Sequence, residues 1–465
     1  MFLRPQSDER PVVRPSTTRT RTKWLALLAA FALIAAGCGD DDGEETDETT
    51  ESAPEETEET SEPASEETEE APAEAEGKVT DFAAYVGGSG PADDSLDPVK
   101  IGYVNQQGGA IEVTALNVEG VQIAAEFINT EAGGIGGRPV EIVTCYIANT
   151  EEEGQQCGQQ FANDDEIVAV VTGPTVVGTE SFYAALGGTK PVIAGVSVNP
   201  TDTVQENAAV LYGGAAYVLA PFGTYAAEVL DVESAALIYP EGSGQDDAAA
   251  GQRSGLEAAG IPVEVVAFDP DEPDLTVPLI AAGAEDADLV LPVLDQGLCV
   301  RVAEAQRDLG IPDEKVLTSP VCLTPAVIEG LGDFPQWTYA VASSLGIDPS
   351  DPSVPPYIEI LEAQGQADYV PDPWVLVGFG QMMTLAKWMN AVGGDLAAED
   401  IITEMKAFEG PMILGSPVLD CGKYEEAPGV CNDHTQFFKY NGAEEGFAPG
   451  SGYYGPPEGW EAPGS

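Results

Sequence analysis

From residue 99 onward, short apolar runs alternate with longer stretches in which apolar side chains return every three to four positions. The runs at 100–105, 140–147, 167–173, 191–195, 235–240, 263–268, 289–294, 316–319 and 337–342 predict strands. The stretches between them predict helices at 112–129, 151–163, 175–186, 245–259 and 297–309, with a long one at 374–389. In the first of these, Val113, Leu116, Gly120, Ile123, Ala124 and Phe127 fall on one helical face. Regular alternation of this kind predicts an α/β fold, doubly wound, with parallel sheets covered by helices on both faces. Ligands of such folds bind beyond the carboxyl ends of the strands, so the strand-to-helix loops are where a site is expected.

The N-terminal pattern is different. Arg14, Arg19, Arg21 and Lys23 precede an apolar run, WLALLAAFALIAAGC at 24–38. At about 13 apolar residues the run is too short to span a bilayer and has the layout of a secretory signal. Its end, Ala35-Ala36-Gly37-Cys38, resembles the lipobox of bacterial lipoproteins. That resemblance implies removal of residues 1–37 and lipidation of Cys38. The alternative is a plain secretory signal with an incidental cysteine. Residues 40–76 are Asp, Glu, Thr, Ser, Pro, Ala and Gly with no aromatic side chain, a composition that cannot bury enough apolar surface to offset chain entropy. Residues 38–78 are therefore expected to be an extended tether, with an acidic interaction tail as the alternative. Residues 79–97 are expected to be a partly ordered lead-in, and the Gly- and Pro-rich end 441–465 a loose tail.

Seven cysteines become an even six if Cys38 is lipidated. Pairing neighbours predicts Cys145–Cys157, Cys299–Cys322 and Cys421–Cys431, although six cysteines allow other connectivities. An export signal makes oxidation the expected state. No Cys-x-x-Cys occurs and His434 is the only histidine, so neither a metal nor another cofactor is expected. The net charge is -62, and cleavage would remove six of 18 basic residues but only two of 80 acidic ones. Such a surface repels nucleic acid and anionic headgroups, leaving the lipid anchor as the expected membrane contact. Catalysis is not expected either. A Ser-His-Asp triad would need His434, and no Gly-x-Ser-x-Gly elbow, His-Glu-x-x-His or Walker loop occurs.

AAEFINTEAGGIGGRPVEIVTCY at 124–146 resembles the helix, glycine turn and second strand of type I periplasmic binding proteins, specifically the branched-chain amino acid transport family. VAVVTGPTVVGTESF at 168–182, KPVIAGVSVNP at 190–200, FDPDEPDLTVPLIAAGAEDADLVLP at 268–292 and AEAQRDLGIPDEKVLTSP at 303–320 recur in that family's order. The resemblance implies two lobes joined by three crossovers around a ligand cleft. By position, the first lobe comprises 99–213 and 343–409 and the second 214–342 and 410–440, completed by a hairpin of 413–419 with 436–440.

The resemblance also implies where ligand contacts fall. Thr175, after the third strand, suits an N-cap, and in the family its loop holds the ligand's carboxylate on free helix amides; the alternative is that Thr175 only caps its helix. Val196 and Ser197 occupy the companion loop. Asn105, Gln106 and Gln107, Ser243, Asp295 and Gln296, and Trp374 lie at the other strand or helix ends, while Val113 stands where relatives often carry an aromatic wall. Relatives that bind α-amino acids often have a glutamate where this chain has Val321, so either Asp295 supplies the countercharge from the neighbouring loop or the ligand carries no ammonium group. The expectation is a monomeric, lipid-anchored binding protein that presents a small polar solute to an ABC permease. A branched-chain or other amino acid leads, with amides, urea-like solutes and small carboxylates open. A sensory receptor ectodomain of the same fold is the alternative.

Overall fold

The computed structural model describes residues 77–109, 115–197, 200–241, 245–348 and 350–463. The expected signal with Cys38, the acidic tether through residue 76, Val113 and Ser243 lie outside the described residues. The chain begins with α1 (Phe82–Val86), β1 (Val99–Gln106), α2 (Asn117–Thr130), β2 (Val140–Ile147), α3 (Glu151–Asn163), β3 (Ile167–Thr172), α4 (Thr179–Leu186), β4 (Val192–Ala194) and β5 (Ala208–Val210). These five strands form one parallel sheet in the order β2-β1-β3-β4-β5.

The second lobe follows as α5 (Ala215–Leu219), α6 (Pro221–Glu228), β6 (Ala235–Pro240), α7 (Asp246–Ala258), β7 (Val263–Phe268), α8 (Thr276–Ala281), β8 (Leu289–Pro292), α9 (Cys299–Asp308), β9 (Leu317–Thr318), α10 (Pro325–Leu331) and β10 (Thr338–Val341). Strands β7-β6-β8 are parallel, and a bridge between Val290 and Val316 carries the sheet on toward β9 and β10. The chain then returns to the first lobe with α11 (Val354–Ala363), α12 (Pro373–Val392), α13 (Ala398–Lys406), β11 (Glu409–Gly410) and β12 (Leu419–Asp420). It crosses once more to β13 (Thr435–Lys439), antiparallel to β10, and β14 (Tyr453–Tyr454).

The parallel sheets β2-β1-β3-β4-β5 and β7-β6-β8 have apolar packing on both faces, as the alternation predicts. The largest core gathers β1, α2 and α12, whose side chains are buried almost all round. Helices α2 and α12 touch backbone to backbone through glycine. A Cβ on Gly120 would lie 1.9 Å from the Val375 carbonyl oxygen, and one on Gly378 would lie 2.1 Å from that of Asn117. The three disulfides join Cys145 to Cys157, Cys299 to Cys322 and Cys421 to Cys431. Among the described residues no helix is long and apolar enough to cross a membrane.

Four expectations need correction. Residues 410–431 do not pass to the second lobe: β12 pairs with β11, and Met412, Ile413, Leu414, Leu419, Cys421 and Cys431 are buried in the first core. The predicted hairpin is therefore absent, and the third crossover falls between Cys431 and Thr435, because only β13 has the edge of β10 to pair with. The tail is not loose. Tyr454 packs edge-on to Tyr225 at 5.5 Å, Thr224 donates to the Gly455 carbonyl at 2.8 Å, and the Trp460 indole donates to Ser254 at 2.8 Å. Its aromatic side chains supply the apolar area that the Gly and Pro content obscured. The lead-in is likewise packed, with Phe82, Tyr85 and Val86 buried and Phe82 5.8 Å from the Phe379 ring. Finally, α4 starts at Thr179 rather than near 175, for reasons that belong to the site.

Candidate functional site

Between the lobes lies a cleft of about 250 Å³. The first lobe contributes Ala115 and Leu116, leading into α2, and Asp372, Pro373 and Trp374, opening α12. The second contributes Gln296, beyond β8, and Leu323, Thr324 and Pro325, beyond β9. Of the sequence-predicted residues, Gln296 and Trp374 thus line this cleft. Asp295 does not; its carboxylate accepts from the Gly297 amide at 2.9 Å and caps the turn before α9.

The first-lobe wall is held by a buried polar relay. The Tyr103 hydroxyl donates to Asn117 Oδ1 at 2.9 Å, and Asn117 Nδ2 donates to the Trp374 carbonyl at 3.1 Å and to Gln381 Oε1 at 3.2 Å. Gln381 Nε2 in turn donates to the carbonyls of Thr172, at 2.8 Å, and Ile193, at 3.1 Å. Tyr103, Asn117 and Gln381 are fully buried, so this network ties the starts of α2 and α12 to β1, β3 and β4 with little freedom. Burial pushes the Tyr103 hydroxyl well above its ordinary pKa and keeps it a donor.

Asp372 caps α12: its Oδ1 accepts from the amides of Trp374, at 2.8 Å, and Val375, at 3.2 Å. Burial raises its carboxyl above the ordinary value, and these two amides only partly oppose that. Its Oδ2 has no hydrogen-bond partner among the described residues. Across the cleft, Thr324 stands at the N-cap position of α10 but makes no capping bond, and its buried hydroxyl has no partner among the described residues. Asp372, Thr324, Leu116 and the supporting Asn117 escaped the sequence reading. For Asp372 a signal existed, since Asp followed by Pro ahead of a long apolar stretch marks a helix start.

The loop between β3 and α4 differs from expectation. Thr175 is not the N-cap; Gly178 is, with φ 85°, and the Thr175 hydroxyl lies 2.6 Å from that of Thr179. Gln106 Oε1 accepts from the amides of Val176, at 2.7 Å, and Val177, at 3.1 Å. The Glu151 carboxylate accepts from the Gly178 amide at 2.8 Å and from the Ser181 hydroxyl at 2.7 Å, which hold its pKa below the ordinary value. Side chains of the same lobe therefore occupy the amides expected to receive a carboxylate. Gln106 is 1% exposed, and its Nε2, like Gln107 Oε1, is buried without a partner among the described residues.

Val196 packs against the first core and Ser197 sits at the first crossover, bridged to Gly214. Ser197 also hydrogen-bonds Asp202, whose Oδ1 accepts from the Tyr183 hydroxyl at 2.8 Å. Burial pushes the Asp202 carboxyl up to about 6 despite these donors. Val113 and Ser243 lie outside the described residues. Among the described residues, no group of His, Cys, Asp and Glu is arranged to hold a metal ion.

Residues 98–422 match the family model described as periplasmic binding protein. Solved structures of similar fold include an ABC transporter substrate-binding protein from Sphaerobacter thermophilus, 18% identical over 78% of this chain and 99% of its own, with a TM-score of 0.63. A leucine-binding protein from Thermotoga maritima is 16% identical over 77% of this chain and 99% of its own, with a TM-score of 0.61. An ABC transporter solute-binding protein from R. palustris, in complex with benzoate, is 15% identical over 77% and 97%, with a TM-score of 0.58. No curated protein sequence matches the chain at a significant level.

Proposed function

Because the chain belongs to the periplasmic binding protein family, we propose that it is the extracytoplasmic solute-binding component of an ABC importer, capturing a small polar solute between its lobes and delivering it to a permease. The observation that carries this reading is the cleft, where Trp374 and Asp372 of one lobe meet Gln296 and Thr324 of the other. A few polar groups in a mostly apolar concave site supply orientation and specificity, and crossovers between compact lobes allow closure over a bound molecule. The lipobox-like end at Cys38 and the acidic segment behind it support anchoring to the outer face of the cell membrane. Proteins of similar structure include a leucine-binding protein and a solute-binding protein in complex with benzoate, so the fold leaves the solute open and an amino acid is one option among several.

The test is a thermal-shift screen of small polar solutes against the exported chain, followed by calorimetry on the best hit and on Trp374→Ala. A solute of this site raises the melting temperature in a saturable way, and Trp374→Ala weakens it. Binding that Trp374→Ala leaves intact would put the site elsewhere.

A further inference from the structure

We infer that the cleft selects a solute presenting N–H donors, an ammonium, amidinium or amide group, to Asp372, and disfavours one held by a carboxylate. This rests on the solute-binding reading and names the substrate class of the same site.

The argument starts from Asp372. Asp372 lines the cleft, and its two capping bonds both use Oδ1, so its second carboxylate oxygen remains without a hydrogen-bond partner among the described residues. No lysine, arginine or histidine is among the residues that line the cleft. The polar neighbours across the cleft, the Thr324 hydroxyl and the Gln296 amide, are neutral.

The second observation is independent of the first. A carboxylate finds no free donors at the loop amides of Val176, Val177 and Gly178, which already donate to Gln106 and Glu151. It would also meet Asp372 in a partly desolvated setting, where like charges repel more than in water. A cation meets the opposite situation: it pairs with a carboxylate whose burial the two capping amides only partly offset. Trp374 beside it offers an aromatic ring, another favourable neighbour for a cation. The net charge of -62 concentrates cations around the whole protein.

The experiment is a calorimetric and thermal-shift panel on the full exported chain with size-matched aliphatic amines and diamines, amidinium and guanidinium compounds, primary amides, aliphatic carboxylates and neutral α-amino acids. Amines, amidinium compounds or amides are expected to bind and carboxylates not to. Asp372→Asn should lower the affinity of a cationic hit about tenfold or more while leaving the melting temperature of the free protein nearly unchanged, since asparagine caps helices as well as aspartate. Binding of α-amino acids or carboxylates without amines or amides overturns the inference and leaves the solute-binding reading standing. So does an amine whose affinity Asp372→Asn does not change. If no class binds, both readings fail.

Discussion

The loops at the strand ends of the first lobe and the start of α12 both carry buried polar groups, but they dispose of them differently. Beyond β3 and β4 the groups satisfy one another: Gln106 and Glu151 take the amides of Val176, Val177 and Gly178, while Tyr183 and Ser197 bond Asp202. At α12, Asp372 lines the cleft and caps the helix with one oxygen, while the other has no hydrogen-bond partner among the described residues. Burial raises the carboxyl pKa of both Asp202 and Asp372, yet only Asp372 lines the cleft. A loop in the right place for a ligand is therefore not a ligand loop until its hydrogen bonds are counted.

The sharpest way to break this contrast is Asp202→Asn. The folded-state pKa of Asp202, about 6, lies above its ordinary value of 3.8, so the stability it contributes is complete below the ordinary value and is lost as pH rises through about 6. That loss approaches roughly 3 kcal/mol. Denaturant melts across this range should show the variant gaining on the parent by about that amount as pH rises. A pH-independent difference would mean that Asp202 is ionised throughout.

Next in size is Gln106→Leu, which strips the acceptor from the Val176 and Val177 amides and should cost about 2 kcal/mol in urea denaturation. Gln106→Glu keeps an acceptor oxygen and should cost less. If Gln106→Leu is neutral, water serves those amides and the loop is open to a ligand after all.

Asp372→Ala removes a helix cap and should lower stability by about 1 kcal/mol, against a few tenths for Asp372→Asn. Equal losses in the two variants would show that the carboxylate charge, rather than the cap, is what the fold needs.

The smallest effect is expected for Thr175→Ala. Loss of its contact with Thr179 should cost under about 1 kcal/mol and leave affinity for the best solute unchanged. A large drop in affinity would return Thr175 to the site.

Much of the fold was determined by the sequence alone, because the signals are local. The strands at 140–147, 235–240 and 263–268 and the helix at 151–163 occupy the residues that their apolar spacing predicts. The sheets β2-β1-β3-β4-β5 and β7-β6-β8 are parallel because helices lie between most of their strands. Short helices such as α5, α10 and α13 span too few turns for their periodicity to stand out, and the packing of Met412, Ile413 and Leu414 against the first core is set by neighbours distant in sequence. The site divides in the same way. The Gln296 and Trp374 positions follow from the carboxyl-end rule and the helix start. That the Val176 amide would meet the side chain of Gln106, 70 residues earlier, was decided only when the sheet placed β1 beside β3. Periodicity is written into neighbouring residues, whereas which partner satisfies a buried donor depends on elements that only tertiary structure brings together.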